Sequence, residues 1–328
     1  TKMNILVPIN DEKLISKYVS AGANELYMGF YDDKWTAEFG KYSDINRMSG
    51  FKKNANKYNF ASMIDIIKQS KKLGVSIFVT LNANIYSKDQ LKYIEEEYFP
   101  ALREAEVDGV IVSELELGKI ALEYGLKPVA STMCAIYNID IVKIYKDYGI
   151  NRVILPRDLS LKEIESITTN VPDIDVEVFF MRNGCVFSDC YCLGMHRPEC
   201  GSTCGMLRTH KKDIITTKRG FRELHNIELN DEIYNRLFHN NACAMCALYR
   251  LKSMKVCSLK IVGRADDAES VLNDIEVTRR NIDLLEHCTS EDEYLDKMAL
   301  PFDSVRMCSL GLSCYYPEVR FKRGGMLE

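Results

Sequence analysis

Short runs of β-branched and aliphatic residues recur along this chain, each separated from the next by a stretch long enough for an amphipathic helix. Eight such runs read as strands: Asn4–Val7, Glu25–Met28, Ser76–Leu81, Gly109–Val112, Lys127–Ala130, Arg152–Leu155, Asp175–Phe180 and Ser258–Ile261. Most lack strict polar–apolar alternation, the pattern of parallel strands buried on both faces. Between them, Phe60–Leu73 sets Phe60, Met63, Ile64 and Ile67 on one stripe and stops at Gly74, a residue that readily adopts the left-handed turn ending a helix. Leu91–Glu104, Leu115–Tyr124, Ile139–Tyr148 and Leu161–Thr168 repeat the pattern, with Gly149 as another terminator. Eight strands alternating with helices predict an α/β fold, a (β/α)8 TIM-like barrel. A doubly wound open sheet is the alternative, without a Gly-rich dinucleotide fingerprint to support it.

Two segments break the alternation. Tyr31–Asn59 is long, polar and rich in Lys, Asp and Asn, and is expected to be a loop over the barrel mouth. The second is a cysteine-rich insertion after strand seven, which makes residues 1–265 a barrel carrying a cluster-binding loop at 181–246. Residues 266–328 are expected to form a short C-terminal extension, a closing helix within Asp266–Cys288 and an irregular tail from Leu300, packed on the barrel. The apolar runs are of strand length, so no membrane span is expected. The start runs straight into a strand without the charged-then-apolar pattern of a secretory signal, and a cytoplasmic location is expected.

A net charge of -4 excludes a surface built throughout for nucleic acid. One local exception is the stretch from Arg208 to Arg222, with Lys211, Lys212, Lys218 and Arg219. It is either a solvated loop or a cradle for an anionic substrate, and it permits RNA without demanding it.

Twelve cysteines point, in this setting, to metal or redox use in preference to disulfides. Five of them fall within residues 185–204, and Cys243 and Cys246 follow. In a barrel, functional groups gather where strands end and βα loops begin. Cys185 lies just after strand seven, and Cys243 and Cys246 open the helix leading to strand eight, so both groups should converge at one end. Several thiolates without an evident histidine partner suit an iron–sulfur cluster or tetrahedral zinc. Cys243-x2-Cys246 alone is weak, but joined to Cys185-x6-Cys192 and Cys200-x3-Cys204 it becomes specific. His196 is a candidate alternative ligand.

The run from Glu177 to Cys185, followed by Cys192, resembles the signature of peptidase family U32. Gly22 to Gly29, Thr80 to Asn82, Ser131-Thr132 with Asn138, Leu155 to Ser160 and Val256 to Arg264 add landmarks in matching order. The resemblance implies a barrel with one 4Fe–4S cluster on four cysteines drawn from Cys185, Cys192, Cys200, Cys204, Cys243 and Cys246. Cys185 and Cys192 match the first pair directly; the third ligand is Cys200 or Cys204 and the fourth Cys243 or Cys246. It also implies oxygen-independent hydroxylation of tRNA, ribosomal RNA or the ubiquinone ring, with prephenate as oxygen source in several members. Peptidase activity of the collagenase type, and a non-catalytic iron–sulfur subunit paired with a homologous chain, are the competing readings. An electron donor is the further partner to expect.

The chain departs from that pattern at three places. Met181-Arg182 replaces the usual His-Gly, Asp189-Cys190 replaces Ser-Gly, and Val262 replaces Glu in Lys260-Ile-Val-Gly-Arg264. Cys308 and Cys314 are also unusual. Residues that follow strands give the remaining candidates: Arg157, Glu177, Lys260 and Arg264 for catalysis, and Asn82, Ser131 and Thr132 on the substrate side. Arg157 or Arg264 would pair with a substrate carboxylate or phosphate, unless Arg157 instead braces its loop through Asp158. Glu177 would be either an acid–base group or the partner of Lys260.

Overall fold

The computed structural model describes residues 3–185, 188–192, 214–217, 220–223, 242–301 and 314–319. Eight parallel strands close a barrel: β1 (Asn4–Pro8), β2 (Glu25–Met28), β3 (Ser76–Leu81), β4 (Gly109–Val112), β5 (Pro128–Ala130), β6 (Arg152–Ile154), β7 (Asp175–Met181) and β10 (Ser258–Ile261). Their order around the barrel is β1-β10-β7-β6-β5-β4-β3-β2, and β2 pairs back onto β1. The open-sheet alternative is therefore excluded. Each strand coincides with an apolar run to within a residue or two, because both of its faces are covered, by helices outside and packed side chains inside. A two-stranded antiparallel hairpin, β8 (Ile214–Thr217) and β9 (Gly220–Glu223), lies within the insertion between β7 and β10.

The outer helices begin at side-chain caps. Asn59 accepts from the Ser62 N–H ahead of the helix Phe60–Lys72, and Ser160 forms a capping box with Glu163 ahead of Leu161–Asn170. Such caps satisfy N–H groups that have no partner inside the helix. Gly74 and Gly149 follow their helices at φ +68° and +91°, where a side chain would be strained. The helix Ala268–Leu285 packs on Ile15–Ala21 and on β1, and Arg279 Nη2 donates to the Gly22 carbonyl at 2.8 Å. No helix among the described residues is long and apolar enough to cross a membrane.

The segment Tyr31–Asn59 is not the plain loop its composition predicts. It contains a helix, Asp33–Phe39, whose Trp35 is buried. The Trp35 ring packs on Phe39, Tyr93 and Tyr98 with centroids 4.7, 5.6 and 6.1 Å away. Tyr98 lies in a π-helical turn, Ile94–Tyr98, within the helical stretch from Lys88 to Glu104, and donates to Asp32 Oδ2 at 2.8 Å. A few large rings anchor the segment although Lys, Asp and Asn dominate it by number. Aromatic pairs of this kind contribute about 0.5–1.5 kcal/mol beyond burial.

Inside the barrel runs a ladder of alternating charge. Arg152 donates to both oxygens of Glu25 at 2.8 and 2.6 Å and to Glu177 Oε2 at 3.2 and 2.9 Å. Lys260 Nζ reaches Glu177 Oε1 at 3.2 Å, and Ser258 Oγ donates to Glu25 at 2.7 Å. The Arg152 guanidinium also lies 4.7 Å from the Phe78 ring centre. Buried ions survive only when neutralised and hydrogen-bonded, and this set meets both conditions.

Candidate functional site at the barrel mouth

Above the ladder, where the strands end, lies a cavity of about 210 Å3. Seven of the residues singled out from the sequence line it: Asn82, Ser131, Thr132, Arg157, Cys185, Lys260 and Arg264. Glu177 does not; it sits one layer below, bonded to Lys260 and Arg152. Arg47, Asn183, Asp266 and the rings of Tyr27 and Phe179 complete the polar and aromatic wall, with Ile111 and Ile154 between.

Two arginines share one carboxylate here. Arg157 donates through Nε to Asp189 Oδ2 at 2.9 Å and through Nη2 to Oδ1 at 3.2 Å, while Arg47 Nη1 also bonds Oδ1. Asp189 is fully buried. Burial alone would raise its pKa, but Arg157 and Arg47 together hold it well below the usual carboxylate range. The same carboxylate, with burial working against it, lifts the Arg157 pKa above its ordinary value. The alternative of an Arg157–Asp158 brace is corrected: Asp158 instead accepts from Tyr137 Oη at 3.2 Å and from Ser188 Oγ. The Arg157 guanidinium also stacks 4.0 Å from the Phe179 ring centre.

Arg264 is held differently. It is buried, and its hydrogen bonds among the described residues go to neutral oxygens: Thr80 Oγ1 at 3.1 Å, Asn56 Oδ1 at 3.2 Å and Asn46 Oδ1 at 3.4 Å. A Cβ at Gly29 would overlap both Arg264 Nη1 and Asn56 Oδ1, so glycine at that position makes room for the cradle. Burial lowers the Arg264 pKa to about 10, with the nearby Arg47 charge acting in the same direction. Lys260 is likewise lowered by burial, although Glu177 opposes the shift. Asn82 Nδ2 donates to Ser131 Oγ at 3.3 Å, and the Arg47 N–H donates to Asn82 Oδ1 at 3.3 Å.

The cysteine segments meet beside this cavity. Met181 and Cys243 form an antiparallel bridge, the Arg182 N–H donates to the Ala242 carbonyl at 2.7 Å, and the Ala244 N–H donates to Phe180 at 2.9 Å. The two segments predicted to converge are thus stitched together. Cys192, Cys243 and Cys246 are buried and Cys185 is half-buried. The Cys243 thiol accepts the Met245 N–H at 3.4 Å. Cys314 pairs with Cys243 in a parallel bridge, and Tyr315 donates its N–H to the Cys243 carbonyl at 3.0 Å and its Oη to the Arg182 carbonyl. Cys200, Cys204, His196 and Cys308 lie outside the described residues, as does most of the basic stretch Arg208–Arg222. Among the described residues, no three Cys, His, Asp or Glu side chains are grouped closely enough to hold a metal ion.

The backbone that carries Cys185 is strained. Arg182 and Asn183 sit at φ +65° and +49°, a region that costs a residue other than glycine about 1–2 kcal/mol. Arg182 stands where the resembled pattern has glycine. Its side chain compensates by bonding Asp274 and approaching Asp266 at 3.9 Å. Burial raises both carboxyl pKa values, Asp274 to about 6, with Arg182 opposing the rise.

Arg47, Asn183, Asp189 and Asp266 carried no signal that a sequence pattern registers. Arg47 lies in a segment whose composition predicts a loop, and Asp189 stands out in the sequence only as a departure from the family pattern.

Fold and mouth together define a (β/α)8-barrel protein with a cysteine-bearing loop beside a cationic cavity. The chain belongs to peptidase family U32, whose family model matches residues 12–315. It is 26% identical over 90% of its length to the uncharacterized protease MJ0090 of Methanocaldococcus jannaschii, covering 68% of that protein. It is 24% identical over 87% of its length to the 23S rRNA 5-hydroxycytidine C2501 synthase of Escherichia coli, and 25% identical over 56% to the tRNA hydroxylation protein P1 of Bacillus subtilis. The chain spans 40% of the length of each of these last two proteins.

Proposed function

We propose that this chain is an iron–sulfur enzyme that hydroxylates an RNA base, an aromatic ring or another small substrate without molecular oxygen, or transfers a related group. The observation that supports this reading best is the joining of the Cys185 and Cys243 segments beside a cavity lined by Arg47, Arg157, Lys260 and Arg264. Relatives named for rRNA and tRNA hydroxylation add to it. The donor set fits a 4Fe–4S cluster: thiols from two hydrogen-bonded segments, with Cys192, Cys243 and Cys246 buried beside the cavity. Cys185, Cys192, one of Cys200 and Cys204, and one of Cys243 and Cys246 would hold it. When bound, such a cluster supplies single electrons, drawn from a separate donor protein.

The chain's own residues do the rest. Arg264 orients an acidic co-substrate, Asn82, Ser131 and Thr132 offer neutral hydrogen bonds, and Tyr27, Phe179 and Ile154 exclude water from the reacting carbon. Lys260, with its lowered pKa, is the group best placed to hold or release a proton at the cavity floor.

The test is anaerobic purification with iron, sulfide and zinc quantitation. About four irons and four sulfides per chain are expected, lost in Cys185→Ala and Cys192→Ala. Stoichiometric zinc, or no metal, would overturn the reading in favour of the peptidase or a structural metal site.

A further inference from the structure

We infer that Cys243 and Cys314 form a reversible disulfide when no cluster is bound, and that this bond decides whether the site can be loaded. The inference rests on the iron–sulfur reading above, with Cys243 as the fourth ligand. It adds to that reading a site of reversible oxidation on Cys314, which is not among the six candidate ligands.

Cys314 is brought to this place by a short C-terminal segment tied down at several points. It is the direct partner of Cys243 in a parallel bridge, and the next residue, Tyr315, donates its N–H to the Cys243 carbonyl at 3.0 Å. Tyr315 Oη donates to the Arg182 carbonyl, and Glu318 Oε1 accepts the Leu161 N–H at 2.8 Å. Tyr315 and Tyr316 are both buried. Cys243 is held from its other side by the antiparallel bridge to Met181. Residues paired directly across neighbouring strands stand about 4.8 Å apart and turn their side chains to the same face. A disulfide takes Cα atoms about 4.4–6.8 Å apart. The two thiols can therefore join by side-chain rotation with little movement of the backbone.

Exposure sets the order of events, since Cys314 is half-buried and Cys243 buried. The oxidant is a small disulfide such as glutathione disulfide. The Cys314 thiolate attacks one of its sulfurs and the other leaves as a thiol; the Cys243 thiolate then attacks the Cys314 sulfur and releases the second thiol. Two protein thiols give up two electrons, the small disulfide takes them, and the two protons pass to the departing thiolates. A cluster needs thiolate ligands, so Cys243 is withdrawn from the ligand set while the bond stands, and a thiol reductant returns it. The bond also keeps both sulfurs on the reversible rung of oxidation, short of the sulfinic and sulfonic acids that no thiol restores.

In the experiment the whole chain is freed of iron with a chelator and reductant, desalted and treated with glutathione disulfide. One portion is alkylated, digested without reductant and mapped by mass spectrometry. Another is given ferrous iron and sulfide anaerobically without added thiol, and bound iron is measured after desalting. A peptide pair linked through Cys243 and Cys314 is expected, with about tenfold less iron bound than in the untreated chain, and dithiothreitol should reverse both. Cys314→Ser should load iron equally with and without the treatment; if that variant does not fold, the wild-type map and its reversal still decide. Linkage of Cys243 to Cys246 or to any other cysteine, full iron loading of the linked chain, or the same loss of iron in Cys314→Ser would overturn the inference. An untreated chain that takes up no iron defeats the cluster reading and with it the control of loading, whereas the peptide map by itself decides whether the pair forms.

Discussion

Toward the strand N-termini the barrel interior carries Glu25, Arg152, Glu177 and Lys260, alternating in sign and bonded in series. At the mouth, Arg47 and Arg157 divide one carboxylate and Arg264 has neutral partners among the described residues. Both regions are buried and both are built from the same residue types. The lower one is balanced within itself, and of its four members only Lys260 reaches the cavity. The upper one carries positive charge that the described residues do not cancel, and that imbalance marks the end of the barrel where a ligand belongs.

The comparison is broken most directly at its lower end. Glu177→Ala would leave Arg152 and Lys260 facing each other across a buried gap, and about 3–5 kcal/mol of stability should be lost in urea denaturation. Added sulfate should restore little of it, because Arg152 and the space left by Glu177 lie beneath the cavity floor that Lys260 forms. Asp189→Ala should cost a comparable or slightly smaller amount at low salt, but millimolar sulfate should recover much of the loss by binding between Arg47 and Arg157. Rescue of both variants, or of neither, would erase the proposed difference between the two regions.

Arg182→Gly tests how the mouth is held in place. Glycine relieves the left-handed strain but removes the cation between Asp266 and Asp274, so a net loss of about 1–3 kcal/mol is expected at pH 8. A carboxyl whose folded pKa is raised binds its proton more tightly in the folded state, so its charge penalty appears as pH rises and fades as pH falls. Asp274 already titrates near 6, and without Arg182 both carboxyls shift further upward. The loss should therefore shrink below about pH 6; a deficit that stays constant from pH 8 to 5 would show that strain and packing dominate instead. The smallest expected change is in Arg264→Gln, whose stability should stay within about 1 kcal/mol of wild type while acid binding disappears.

Much of the fold was legible because its signals are local. Apolar runs marked strands to within a residue or two, and Gly74 and Gly149 marked helix ends, since backbone conformation depends on the residue itself and its neighbours. Tyr31–Asn59 does reach the barrel mouth, through Asn46, Arg47 and Asn56, but its helix Asp33–Phe39 is hidden in the sequence because Trp35 and Phe39 are outnumbered by Lys, Asp and Asn. Candidate site residues were found wherever position after a strand carries meaning, as for Asn82, Ser131, Arg157 and Arg264. The pairing of Arg47 with Asp189 is not legible in sequence, because neither lies directly after a strand and they meet across 142 positions.

By itself the sequence determined that this chain alternates eight strands with helices and carries most of its cysteines between the seventh strand and the eighth. Local periodicity and chain order suffice for that. Only the tertiary structure decided which charges meet. It gave Glu177 to Arg152 and Lys260, set Asp189 between two arginines and left Arg264 among amides and hydroxyls. Ion pairing depends on distances of a few ångströms between residues far apart in the chain, and those distances exist only once the barrel has closed.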